Sequence, residues 1–88
     1  GTLQVIPPEV FYWRPRAGGI EVDFVICSNG KVVGVEVKSA ENITYGDTRA
    51  MREFLKFHPE ASNGIIVYGG NKIYPIASNI YAVPWMAF

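Results

Sequence analysis

An α+β or α/β domain, built as a three-stranded meander followed by one helix and further strands, is the fold class this sequence predicts. Three observations predict it. Residues 11–38 alternate β-favouring runs with Gly-Gly and Asn-Gly punctuation, residues 46–58 have helical spacing, and strand-like runs return from residue 63.

The opening "TLQVIPPEV" cannot hold a helix, because Pro7 and Pro8 lack amide hydrogens and restrict the residues before them. Residues 1–10 therefore read as an extended lead-in and residues 11–88 as a single domain. "FYWRPR", "IEVDFVI" and "VVGVEVK" read as three antiparallel strands, separated by "AGG" and "SNGK". "GDTRAMREFLKFH" carries apolar residues at 50, 51, 54, 55 and 57, with Asp47 or Thr48 as N-cap and Pro59 as the stop. "NGIIVYGG" reads as a buried strand with Gly69-Gly70 as a hairpin turn, "NKIYPIA" as its hairpin partner, and "NIYAVPWMAF" as a last extended segment interrupted by Pro84.

Composition narrows the classes of function. Of the 88 residues, 49% are hydrophobic and 18% charged, which is a globular balance and not a disordered one. Eight basic and eight acidic residues cancel, and the pI of about 6.8 excludes an autonomous binder of duplex DNA that works by bulk charge. Any nucleic-acid contact is local or shared with a partner. Cys27 is the single cysteine, so the chain has no internal disulfide and no cysteine-rich zinc site, consistent with a reducing cytoplasm. No apolar run approaches the roughly 18 residues of a membrane span. The first residue is Gly1, which suggests a C-terminal fragment of a larger protein.

Register gives the chemistry its geometry. Asn29-Gly30 between alternating runs favours a two-residue type I′ hairpin loop, which needs positive φ at both central positions. Ser28 then faces Lys31, Asp23 faces Glu36, and Glu21 faces Lys38. These four charged residues share one face, and Ile20, Val22, Phe24, Ile26, Val33, Val35 and Val37 form the other, expected to be the core. A two-residue Gly18-Gly19 loop in the first hairpin would set Arg16 opposite Glu21 and Arg14 opposite Asp23. It would also add Phe11 and Trp13 to the apolar face. Asp23 directly across from Glu36 is a repulsive pair, so it calls for a cation: either Arg14, Arg16 and Lys38, or a hard divalent ion between the carboxylates.

An acidic residue on one strand followed by Glu-x-Lys on the next resembles the PD-(D/E)xK nuclease superfamily, with Asp23, Glu36 and Lys38 in the motif positions and Val37 as the variable residue. "FYWRPRAGGIEVDFVICSNGKVVGVEVKS", the helix, "GIIVYGG" and "NIYAVPWMAF" more closely resemble one branch, the uncharacterised C-terminal domain that follows an AAA-type P-loop ATPase in bacterial and archaeal proteins. The resemblance covers residues 11–88 and implies a restriction-endonuclease-like fold. It implies that Asp23, Glu36 and the Val37 carbonyl hold Mg2+, with Mn2+ as a substitute, and that Lys38 orients the attacking water or stabilises the pentavalent phosphate. It further implies DNA or RNA as substrate, with ATP entering only through the upstream ATPase. The sequence departs from the superfamily in two ways: Pro7-Pro8 stand where a first helix usually precedes the meander, and Val22 replaces the Pro of the motif.

Each feature also has a plainer reading. Arg14 and Arg16 suit a phosphate clamp, but partnering Asp23 and Glu21 is the simpler role. His58 fits the negative end of the helix dipole, Cys27 fits an apolar gap, and the aromatics fit the core. Two classes of function stay open: a metal-dependent nuclease-like domain, and a catalytically silent module of the same fold for assembly, partner or nucleic-acid binding. Apolar surface left by absent elements would favour a homo-oligomer of the fragment.

Overall fold

The computed structural model describes the backbone of residues 9–13 and the whole of residues 22–88. It is an α+β arrangement in which one six-stranded mixed sheet carries one α-helix on one face. The strands are β1 (Glu9–Trp13), β2 (Val22–Ser28), β3 (Lys31–Val37), β4 (Ala61–Tyr68), β5 (Tyr74–Ala77) and β6 (Ile80–Pro84), in the spatial order β1-β2-β3-β4-β6-β5. β1, β2 and β3 form the expected antiparallel meander, although β1 starts at Glu9, inside the expected lead-in. β3, β4 and β6 run parallel to one another, and β5 lies antiparallel on the outer edge of β6.

The central hairpin follows from its turn. Asn29 has φ 51° and Gly30 φ 76°, and the ladder pairs Ser28 with Lys31, Cys27 with Val32 and Phe24 with Val35. The ladder stops at Phe24–Val35, one position short of Asp23 and Glu36.

The first hairpin departs from the expected register. Phe11 pairs with Val25 and Trp13 with Val22, so the four residues Val22–Val25 of β2 answer the three residues Phe11–Trp13 of β1. An extra residue on one strand is a β-bulge, and it brings Val22 and Val25 to the same side of the sheet. Both belong to the core. Phe11 is thus set across from Val25 and Trp13 across from Val22, where the expected register would pair them with Ile26 and Phe24. Arg14, Arg16, Glu21 and the Gly18-Gly19 loop, and with them the expected pairs Arg14–Asp23 and Arg16–Glu21, lie outside the described residues.

Residues 45–57 carry a 3-10 turn, Tyr45–Thr48, running into α1, Arg49–Phe57. The turn is closed by the Asp47 carboxylate, which accepts the Thr44 N–H at 2.8 Å. Thr48 is the N-cap of α1, and its hydroxyl donates to the Tyr45 carbonyl at 2.6 Å while accepting from Arg52 Nε at 2.9 Å. The helix ends at His58, ahead of Pro59, and the His58 ring approaches Glu60 at 3.0 Å. Met51 and Phe54 are buried as the spacing requires, but Phe57 is 67% exposed.

The helix covers the face of the sheet that carries Glu36. Met51 and Phe54 reach down onto Gly34 and Gly64, where any Cβ would overlap their side chains. Val25, Ile66, Tyr68, Ile80 and Ala82 complete this layer. The expected core row is thus only partly buried: Val22 and Val35 are covered, but Val37 is 45% exposed. Phe24, Ile26, Val35, Val37, Ile65, Val67 and Phe88 line an apolar groove of about 300 Å3. Strand alternation gave the wrong main face because Val25, Cys27, Val32 and Gly34 make the Glu36 face nearly as apolar, and the two glycines then admit the helix.

The C-terminal strands also differ from expectation. β5 does not pair with β4; the chain passes over Gly69 and Gly70, turns at Ser78-Asn79 with Asn79 at φ 60°, and returns as β6 between β4 and β5. Ile80 and Ala82 have no exposed surface, so the central place goes to the more apolar strand, and Pro75, which cannot donate to a ladder, sits on the edge strand. Among the described residues no helix is long and apolar enough to cross a membrane.

Candidate functional site

Asp23, Glu36 and Lys38 come together at the end of the sheet where β2 begins and β3 finishes. Glu36 reaches this point from the penultimate position of β3 and is only 7% exposed. Its Oε2 is buried and has no hydrogen-bond partner among the described residues. Buried polar atoms are almost always paired, since leaving one unpaired costs about 1–3 kcal/mol. The carboxyl is correspondingly hard to ionise: desolvation pushes its pKa up from 4.5, Lys38 opposes the rise, and Asp23 and Asp47 reinforce it.

Asp23 is exposed and differently employed. The Lys38 N–H bonds to the Val67 carbonyl at 2.7 Å, on the β4 side. The neighbouring Val37 amide faces β2, and it donates to Asp23 Oδ2 at 2.6 Å. Asp23 lies within the bulged stretch of β2, so its side chain supplies an acceptor next to the point where the backbone ladder stops. One carboxylate oxygen is held by this bond; the other makes no hydrogen bond among the described residues.

Lys38 follows β3 directly and is half-buried. Its charge acts on Glu36, but the two make no ion pair among the described residues. Val37, expected as a ligand through its carbonyl, sits between Glu36 and Lys38 with its side chain on the apolar groove. Arg14, Arg16 and Glu21 lie outside the described residues.

Asp47 is the residue that sequence reading missed. It was visible only as a cap candidate, yet the 3-10 turn brings its carboxylate close enough to add, behind desolvation, to the rise in the pKa of both Glu36 and Tyr74. The signal that marks it is Thr44-x-x-Asp47, a capping pattern that locates the turn but not what faces it. Among the described residues no group of three or more His, Cys, Asp and Glu side chains is arranged to hold a metal. His58 and Cys27 take the plain roles: one terminates α1 against Phe54, the other packs half-buried beside the core.

A family model described as "Domain of unknown function (DUF4143)" matches residues 1–88. No curated protein and no solved structure matches the chain.

Proposed function

The chain belongs to the DUF4143 family, a domain of unknown function, and from that premise we propose that it is a nuclease-like domain which hydrolyses phosphodiester bonds of DNA or RNA with a divalent cation. The observation that carries this reading is the buried, unpartnered Oε2 of Glu36, flanked by Asp23 and Lys38. An oxygen left without a donor in a folded protein is suited to a cation, and carboxylate and carbonyl oxygens are hard donors suited to Mg2+ or Mn2+. Two carboxylates suffice, because Mg2+ keeps several waters and completes its shell with substrate phosphate. Asp23, Glu36 and the Val37 carbonyl would hold the ion. When bound, it acidifies a water and neutralises charge on the phosphate.

The chain's own residues do the rest. Val37 N–H fixes one Asp23 oxygen and so limits how that carboxylate can turn. The apolar packing around Glu36 lowers the local dielectric and strengthens every charge interaction there. The Lys38 ammonium adds a second positive field beside the phosphate position, either orienting the attacking water or stabilising the pentavalent phosphate. ATP would enter only through an ATPase domain upstream, as the resemblance implies.

One observation favours a second reading, a catalytically silent module of the same fold. The Asp23 oxygen bonded to Val37 serves the sheet, and a residue retained for that purpose needs no metal. Titration with Mg2+ or Mn2+ followed by amide shifts separates the two. Shifts at Asp23, Glu36 and Val37, lost in Asp23→Asn and Glu36→Gln, support the nuclease reading, together with cleavage of single-stranded or structured DNA or RNA that Lys38→Ala abolishes. Unmoved amides at millimolar metal leave the silent module.

A further inference from the structure

We propose that the crevice at the carboxyl ends of β3, β4 and β6 is a base-recognition subsite, which takes an unstacked adenine or cytosine, read through its N6 or N4 amine, from a single strand lying across the Glu36–Lys38 end of the sheet. This rests on the nuclease reading for its substrate class. The crevice itself stands on independent geometry.

Two adjoining hollows of about 280 Å3 each share Glu41, Asn42, Gly70 and Asn71. One adds Gly69 and Met86, and the other adds Ile43, Tyr68, Lys72 and Tyr74. Each lies near the lower limit of roughly 300 Å3 for small-molecule pockets. Their lining comes from the loops that leave three parallel strands, which is where open sheets with parallel strands bind ligands.

The walls are built, not incidental. The Gly69 N–H donates to the Ala40 carbonyl at 2.9 Å, joining the loop after β4 to the loop after β3. A Cβ on Gly70 would stand 2.8 Å from the Glu41 carbonyl and overlap the Tyr68 ring, so the two loops approach this closely only with glycine there. The Tyr68 hydroxyl donates to the Lys72 carbonyl at 2.7 Å and pins the far side, with Tyr74 edge-on to its ring at 6.1 Å.

The chemistry of the lining selects the ligand. Glu41, Asn42, Asn71 and the Lys72 ammonium make no side-chain hydrogen bond or ion pair among the described residues, so their polar groups are available. Two carboxamides offer donors and acceptors together, the pattern that pairs with adenine, and a carboxylate accepts from an exocyclic amine such as that of cytosine. Glu41 disfavours a phosphate inside the crevice, whereas Lys72 at the rim suits one beside it. Met86, 73% exposed, offers an apolar surface to a base face. Glu41 follows Lys38 by three residues, so the crevice opens within about 10 Å of backbone from the proposed phosphate position. A base a few nucleotides from the scissile bond reaches it.

The test is an amide and side-chain NH2 titration of the metal-free 88-residue chain with the single-stranded tetranucleotides dA4, dC4 and dT4. We expect shifts at Gly69, Gly70 and Asn71 and at the Asn42 and Asn71 carboxamides, with dA4 or dC4 bound about tenfold more tightly than dT4. Asn42→Ala with Asn71→Ala removes the preference, and Lys72→Ala weakens all three oligonucleotides alike. Equal affinities for all three, or shifts that avoid these loops, overturn the subsite. Metal binding and cleavage are scored separately with Glu36→Gln and Lys38→Ala. Loss of both, with base preference intact, sinks the nuclease reading and leaves the subsite standing; cleavage without base preference does the reverse.

Discussion

The Val37 amide donates to Asp23 Oδ2 at 2.6 Å, so a side chain from β2 closes β3 at the point where the backbone ladder between the two strands ends. The same carboxylate that the sequence marks as a metal ligand is therefore a structural acceptor. Its two oxygens have separable duties.

Substitution at Asp23 should reveal that division. Asp23→Asn keeps a carbonyl oxygen for Val37, whereas Asp23→Ala leaves the amide to solvent. We expect Asp23→Ala to cost about 1 kcal/mol, a drop of roughly 4–8 °C in Tm for a domain of this size, and Asp23→Asn to cost much less. Hydrogen exchange at Val37 should quicken in the alanine variant alone. Equal exchange in both variants would show that the bond contributes nothing.

Glu36 sets a pH dependence of stability. Burial raises its folded pKa above the ordinary 4.5, so the folded chain binds more protons than the unfolded chain in the window between the two values. The contribution favours folding below the unfolded pKa and is lost as pH rises through that window to the folded pKa. Glu36→Gln keeps the shape without the charge. It should raise Tm relative to the wild type above the window and match it in acid, as read by thermal melts across pH with chelator present. A variant less stable than the wild type at neutral pH would show that the charged form is compensated in the metal-free chain.

The helix seat is a steric device with a measurable coupling. Gly64 leaves room for Met51, which has no exposed surface. Gly64→Ala should cost about 1–3 kcal/mol by overpacking, and Met51→Ala about 2–5 kcal/mol by leaving a cavity. Combining them should cost less than the sum, because the shortened side chain makes room for the new methyl. Denaturant unfolding of the four proteins gives the coupling. Strict additivity would mean that Gly64 and Met51 do not share the space.

How far the sequence disclosed this depends on whether the deciding interaction is local. Asn29-Gly30 encodes its turn in adjacent residues, so the β2–β3 register from Ser28–Lys31 to Phe24–Val35 was legible, as were the helix and its stop at Pro59. The bulge opposite Phe11 and Trp13 was not, because nothing in the run Val22–Val25 marks an extra residue. Nor was the buried face: both faces of β2 and β3 are apolar, and the choice is made by Met51 and Phe54 docking on Gly34 and Gly64, well separated in sequence. β6 enters the sheet beside β4 because Ile80 and Ala82 fill the space under the helix layer, a long-range preference that a hairpin reading of Gly69-Gly70 overrides. For the site, the residue types of Asp23, Glu36 and Lys38 were legible while Asp47 was hidden, since its approach depends on how the 3-10 turn packs.

The charges around Glu36 can be ranked by removing them one at a time. Lys38 is the influence that lowers its pKa, while Asp23 and then Asp47 raise it, all smaller than desolvation. In the metal-free chain, Lys38→Ala should therefore move the Glu36 titration to higher pH, and Asp23→Asn should move it to lower pH. Asp47→Asn should also move it lower, by a smaller step, and Asn retains an oxygen to accept the Thr44 N–H that closes the turn. Side-chain carboxyl 13C shifts followed across pH read each titration directly. Because desolvation is the first cause, no single one of these substitutions should bring Glu36 back to its ordinary value. Full return in Asp23→Asn would mean that repulsion between the two carboxylates, and not burial, governs the site, and would leave Glu36 less enclosed than its 7% exposure describes.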